Sequence, residues 1–197
     1  MEEEKIIGLI LGSSVIGGVI SGLIAQGAPW WRERLAANKT AAFSALRLAL
    51  LLEEFAGDCA SLYGDHDTYR SSRGGAGASA RRLPELKEYP SDIAWQALGT
   101  DLTTKVLHFR VVRADAGAMI SADAEFADQW DHPNLIAETA LKIGLKALAV
   151  AHDLRRARKL APAHVSLDRT TEAYLTSALA RIAERSARLA ARGHDEL

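Results

Sequence analysis

Residues 6–31, IIGLILGSSVIGGVISGLIAQGAPWW, run for 26 positions without a charged side chain. A hydrocarbon core of about 30 Å needs roughly 20 apolar residues in a helix, so the run predicts one N-terminal transmembrane helix. A cleaved signal peptide would want a basic n-region before its small-residue site. Ala25-Gln26-Gly27 could serve as the site, but Met1-Glu2-Glu3-Glu4-Lys5 is net acidic and the run outlasts an ordinary h-region. The core helix of a soluble protein would show a polar face, which this run lacks.

The flanks set a direction. Gly27 and Pro29 punctuate the apolar helix, Trp30 and Trp31 resemble an interfacial aromatic belt, and Arg32, Arg34 and Lys39 follow at once. Positive charge collects on the cytoplasmic side, so the C-terminal part is expected in the cytoplasm. Alanine is used 36 times and arginine outnumbers lysine 17 to 7, a GC-rich bias that points to a bacterial inner membrane. The lone Cys59 excludes an intramolecular disulfide and suits a reducing compartment.

Small residues recur at a spacing of four inside the run, including the pairs Gly8 with Gly12 and Gly18 with Gly22. In lipid such spacing lets helices approach closely, which predicts a homo-oligomer formed through the membrane. The competing explanation is that glycine is simply common in membrane helices.

Beyond the run the periodicity is helical and no segment reads as a strand, so the expected fold is all-α: an anchor followed by a bundle of about four helices. The expected layout is tail and anchor over 1–28, a juxtamembrane and first bundle helix over 29–63, three further bundle helices within 91–192, and a charged tail over 193–197. In the first bundle helix Ala45, Ala49, Leu52, Ala56, Cys59 and Tyr63 step by four and three, and Gly64 marks a stop. Residues 64–90 lose periodicity and are rich in Gly, Ser and Arg, which predicts a flexible loop.

Ser91-Asp92 reads as an N-cap for a second helix carrying Trp95, Leu98, Leu102, Val106, Phe109 and Val112 toward Phe126. Asp131-His132-Pro133 restarts a third, whose Ile136, Ala140, Ile143, Ala147, Val150 and Leu154 form a packing seam. Ala161-Pro162 ends it. Ser166 is read as the cap of a fourth helix with Thr171, Tyr174, Leu175, Ala178, Ile182 and Leu189 on its apolar face.

Candidate chemistry is thin. His66, between Asp65 and Asp67, reads as a solvated loop residue. His108 reads as a packing residue, and His152 has no acidic or His partner at i+3 or i+4. Cys59 falls on the apolar stripe as a small core side chain. Gly74-Gly75-Ala76-Gly77 lacks the strand and the Lys-Ser/Thr of a phosphate loop. Glu53 and Glu54 diverge by about 100° on a helix and do not share a substrate. A net charge of −1 supplies no field for nucleic acid. No catalytic residue, cofactor or metal site is therefore expected, and the chain is not read as an enzyme.

Two basic clusters remain. Arg155, Arg156, Arg158 and Lys159 end the third helix, where cations favour the macrodipole or could meet anionic lipid. Arg70, Arg73, Arg81 and Arg82 could meet lipid from the loop. The final His194-Asp195-Glu196-Leu197 spells a lumenal retrieval signal, which a cytoplasmic C-terminus would make a coincidence.

The expected function is a non-enzymatic, membrane-tethered interaction or scaffold module with the lipid bilayer and a protein as partners. The alternative is a small-molecule or lipid-binding regulatory bundle with a pocket among Trp95, Phe109, Trp130 and Tyr174. The opposite topology, with the helices in the periplasm as in phage lysis spanins, is disfavoured by the charged flanks and the long loop.

Overall fold

The computed structural model describes residues 3–124, 131–162 and 170–194, with side chains described from residue 32 onward except at 131, 189, 190 and 192–194. Among the described residues the chain is all-helical and no strand occurs. The elements are α1 (Glu3–Ser71), α2 (Trp95–Leu98), α3 (Thr100–Asp123), α4 (Asp131–Ala157) and α5 (Thr171–His194).

The first helix is 69 residues long and joins the uncharged run to the bundle core without interruption. The break expected at Gly27 and Pro29 does not occur; the helix continues through both positions. It also passes Gly64, expected as a stop, and ends at Ser71. Residues 32–40 are exposed all round, and burial begins at Ala41. From there Ala45, Leu48, Leu52, Ala56, Cys59 and Tyr63 form one buried stripe, the geometry the four-three spacing demands. The segment Arg32–Ser71 is long and apolar enough to cross a membrane by length and composition, yet its apolar stripe is spent on the domain core.

The principal partner of that stripe is α4. Its Ile136, Ala140, Ile143, Ala147 and Leu154 are all buried, so the predicted seam is real, with Val150 at its margin. Contacts at Glu53–Arg155, Cys59–Gly144 and His66–Asn134 run in opposite senses along the two helices, which are therefore antiparallel. Gly144 permits the close approach: a Cβ there would stand 3.1 Å from both the Cys59 Cβ and a Leu175 methyl of α5. Helix α4 stops at Ala157, before Ala161-Pro162. Lys159 takes a left-handed conformation (φ 51°) and the Leu160 N–H returns to the Arg155 carbonyl at 2.9 Å, a common helix-ending geometry.

The expected second helix is divided. Gly99, with φ 84°, separates the single turn α2 from α3, a conformation open to glycine at little cost. Asp92 does not cap: it pairs with Arg47 of α1 at 2.6 Å, while the Ala94 N–H is taken by Ser44 Oγ. Leu98, Leu102, Val106 and Phe109 are buried as the spacing predicts, and Phe109 meets Phe55 edge-on at 5.7 Å. His108, expected to pack, is exposed. On α5, Leu175 and Ala178 are buried and Tyr174 and Ile182 pack against them. Its first turn is capped by Thr170, whose Oγ1 accepts the Ala173 N–H. Ser166, Trp130 and the last three residues of the HDEL tail lie outside the described residues, as does the side chain of Leu189.

Residues 64–90 depart most from expectation. The first eight extend α1, and 72–94 form a strap that is exposed over 72–78 and packs across the bundle from Ala80 onward, correcting the flexible-loop reading for that part. Ala80, Leu83, Leu86 and Ile93 are buried. Tyr89 packs edge-on against Trp95 and donates to the Val106 carbonyl. Arg113 donates twice to the Pro84 carbonyl, at 2.9 and 3.3 Å, and Lys87 pairs with Glu54. The Gly/Ser/Arg composition covers only the first half of the segment. The apolar residues that anchor it follow at positions 83, 86 and 93, where no period reveals them.

Candidate functional site

The histidine expected in a solvated loop is a hub of the strap. His66 lies on α1 at 6% exposure. Its Nδ1 accepts the Ala80 N–H at 3.3 Å and its Nε2 stands 3.1 Å from Asn134 Oδ1, so the neutral ring donates from Nε2 and joins α1, strap and α4. The signal that could have found it is the four-three stripe itself, since the next step of three after Tyr63 lands on His66.

The four basic residues at the end of α4 do not act together. Arg155 is turned inward, binding Glu53 through two hydrogen bonds and the Ala161 carbonyl at 2.6 Å. Arg158 donates to the carbonyls of Ala97 and Leu98, which end α2. Arg156 and Lys159 are exposed. Glu53 and Glu54 diverge as expected, one to Arg155 and the other to Lys87. His152 faces Glu172 at 3.8 Å across the α4–α5 contact, and Asp153 pairs with Lys105.

The aromatics proposed as one pocket lie apart: Phe109 with Phe55, Trp95 with Tyr89, and Tyr174 with Tyr63. Cys59 is fully buried, and burial pushes its thiol up to about 12, which leaves it protonated and unreactive at neutral pH. Arg32 and Arg34 sit on the exposed stretch of α1. The backbone of Gly8, Gly12, Gly18 and Gly22 and of Trp30 and Trp31 is helical.

A concave feature forms where the strap crosses α3. The cleft has a volume of about 800 Å³, with Leu62 of α1, Leu83 of the strap and Ile120 of α3 as its apolar lining. Arg81, Arg82 and Arg113 bring positive charge to it against one acidic side chain of the lining, Glu85, and His132 lies on the same wall. Arg70 of the loop cluster is paired with Asp67 at 3.0 Å instead. Sequence reading noted Arg81 and Arg82 but missed Arg113 and His132, because the strap path that unites them is aperiodic. Among the described residues no group of His, Cys, Asp and Glu converges to hold a metal. No protein-family model matches this chain, and no curated protein or solved structure matches it either.

Proposed function

We propose that this chain is a single-pass protein of the bacterial inner membrane whose helical bundle stands in the cytoplasm as a non-enzymatic interaction or scaffold module. The observation that supports this reading is the continuity of α1, which carries the uncharged run 6–31, the bare stretch 32–40 and the buried stripe of the bundle on one helix. A bilayer around residues 6–31 would leave roughly 14 Å of exposed helix before the bundle begins. Trp30, Trp31, Arg32 and Arg34 would then occupy the cytoplasmic interface. Exposed apolar side chains on two helices, Leu35, Phe43 and Leu50 on α1 and Leu107, Val111 and Met119 on α3, supply contact surface for a protein partner. Gly8, Gly12, Gly18 and Gly22 of the run would serve self-association.

Fractionation tests the anchor. The full chain should remain in the membrane pellet after alkaline carbonate, and residues 32–197 should not; recovery of the full chain in the supernatant refutes it. A C-terminal fluorescent fusion should be bright and a C-terminal alkaline phosphatase fusion inactive, and the reverse pattern refutes the topology. Disulfide-independent crosslinking in membranes should yield a dimer that Gly12→Ile with Gly18→Ile weakens.

A further inference from the structure

The cleft between the strap and α3 combines features that the interaction reading leaves unused. Several cations of the bundle have a carboxylate: Arg47 has Asp92, Lys87 has Glu54, Lys105 has Asp101 and Asp153, and Arg155 has Glu53. Arg81, Arg82 and Arg113 meet none among the described residues, although all three line the same 800 Å³ cleft. The Arg113 head is held in place, with Nε and Nη2 on the Pro84 carbonyl. Its Nη1 remains, facing Gly117, where an added Cβ would stand 3.9 Å away. On the same lining the His132 Nδ1 is buried without a hydrogen-bond partner, and the Asp123 carboxylate at 3.7 Å is beyond hydrogen-bond range. Leu62, Leu83 and Ile120 supply an apolar bed beside this charge.

We propose that this cleft binds a soluble single-chain amphiphile with an oxyanion head, the head taken by Arg81, Arg82 and Arg113 and the tail laid over Leu62, Leu83 and Ile120. Guanidinium forks match phosphate and carboxylate oxygens, and three such groups facing one glutamate leave a net positive site. Gly117 keeps the α3 wall open: only the Arg113 guanidinium comes within 4 Å of a Cβ built there. Source follows from distance. Leu62 lies about 45 Å along α1 from Trp31 at the rise of an α-helix, too far for a lipid headgroup of the bilayer that holds residues 6–31. The chemistry of the cleft does not depend on that anchor, whereas the choice of a soluble source does.

The test uses the full chain in phosphatidylcholine nanodiscs, with empty discs subtracted, and octyl phosphate as the calorimetric probe. Octyl phosphate should bind saturably, and octanol and inorganic phosphate should each bind at least tenfold more weakly. Arg81→Gln with Arg82→Gln, both at exposed positions, should weaken octyl phosphate by roughly tenfold or more at unchanged helical melting. Gly117→Leu, which fills the wall beside the Arg113 guanidinium while leaving the charge count unchanged, should abolish binding. Absence of saturable binding, equal binding by the arginine variant, or equal binding of octanol overturns the proposal. Retained binding in Gly117→Leu overturns the tail site. Competition by phosphatidylglycerol placed in the discs overturns the soluble source.

Discussion

Arg155 grips Glu53 from 102 residues further along the chain, with Nε 2.6 Å from Oε1 and Nη2 2.8 Å from Oε2. Side-chain exposures of 9% and 16% put the pair in the partly buried regime, where losing one partner strands a charge. Glu53→Ala or Arg155→Ala should each cost about 3 kcal/mol in denaturant unfolding. The double variant should cost less than the sum. Additive losses would mean that the two side chains do not interact energetically.

His66 is the second point at which α1 holds distant chain. Replacing it with alanine removes the acceptor for the buried Ala80 N–H and the contact with Asn134, at about 1–3 kcal/mol for a buried donor left unpaired. The strap should loosen before the bundle melts. Trypsin cleavage after Arg73, Arg81 and Arg82 should accelerate in His66→Ala under conditions where the helical signal is unchanged, and an unaltered digestion rate would contradict the hub role.

Cys59 should be silent toward thiol reagents. Burial raises its pKa from the ordinary 9.0 to about 12, so iodoacetamide at pH 8 should label the folded chain far more slowly than the denatured one. The sign for stability follows from linkage: the unfolded thiol ionises first. The contribution of Cys59 is therefore fully present below pH 9 and is lost as pH rises toward 12. Cys59→Ala should remove this part of the alkaline decline, as read from unfolding midpoints across that range.

Gly77 cannot accept a side chain. With φ 75°, an added Cβ would fall 2.3 Å from the Asp65 carbonyl oxygen and 2.7 Å from the Tyr69 nitrogen. Gly77→Ala should destabilise the strap by more than 1 kcal/mol, roughly the scale of left-handed strain alone. Ala78→Gly, beside it and exposed, should change little. Equal sensitivity of the two positions in proteolysis would refute the close contact.

The core helices were legible because their apolar residues keep helical spacing over long stretches. Ile136 to Leu154 on α4 and Ala45 to Tyr63 on α1 are buried as that spacing requires. What escaped was whatever depends on chain distant in sequence. Glu53 and Arg155 are charged residues whose inward turn is fixed only by each other, and Arg158 finds carbonyls of α2 that no local pattern announces. Composition also misled at the strap, since Ser71 to Ala78 set its average while Leu83 and Leu86 set its packing. Helix breaks followed the same logic: Gly99 interrupts because it adopts a positive φ, whereas Gly64 stays helical beneath the Tyr174 hydroxyl.

The pairing of α1 with α4 has a consequence for biosynthesis. Arg32–Ser71 is itself apolar enough to pass as a membrane span, and the seam that covers it, Ile136 to Leu154, is translated long afterwards. Under the proposed anchoring, the nascent chain would present the insertion machinery with two successive hydrophobic segments until that seam emerges. Glu53, Glu54 and Asp58, together with the acidic strap residues that follow, are then what distinguish the segment to be released from the segment to be kept. Neutralising those carboxylates should alter the fate of the chain at the membrane before it alters the finished fold.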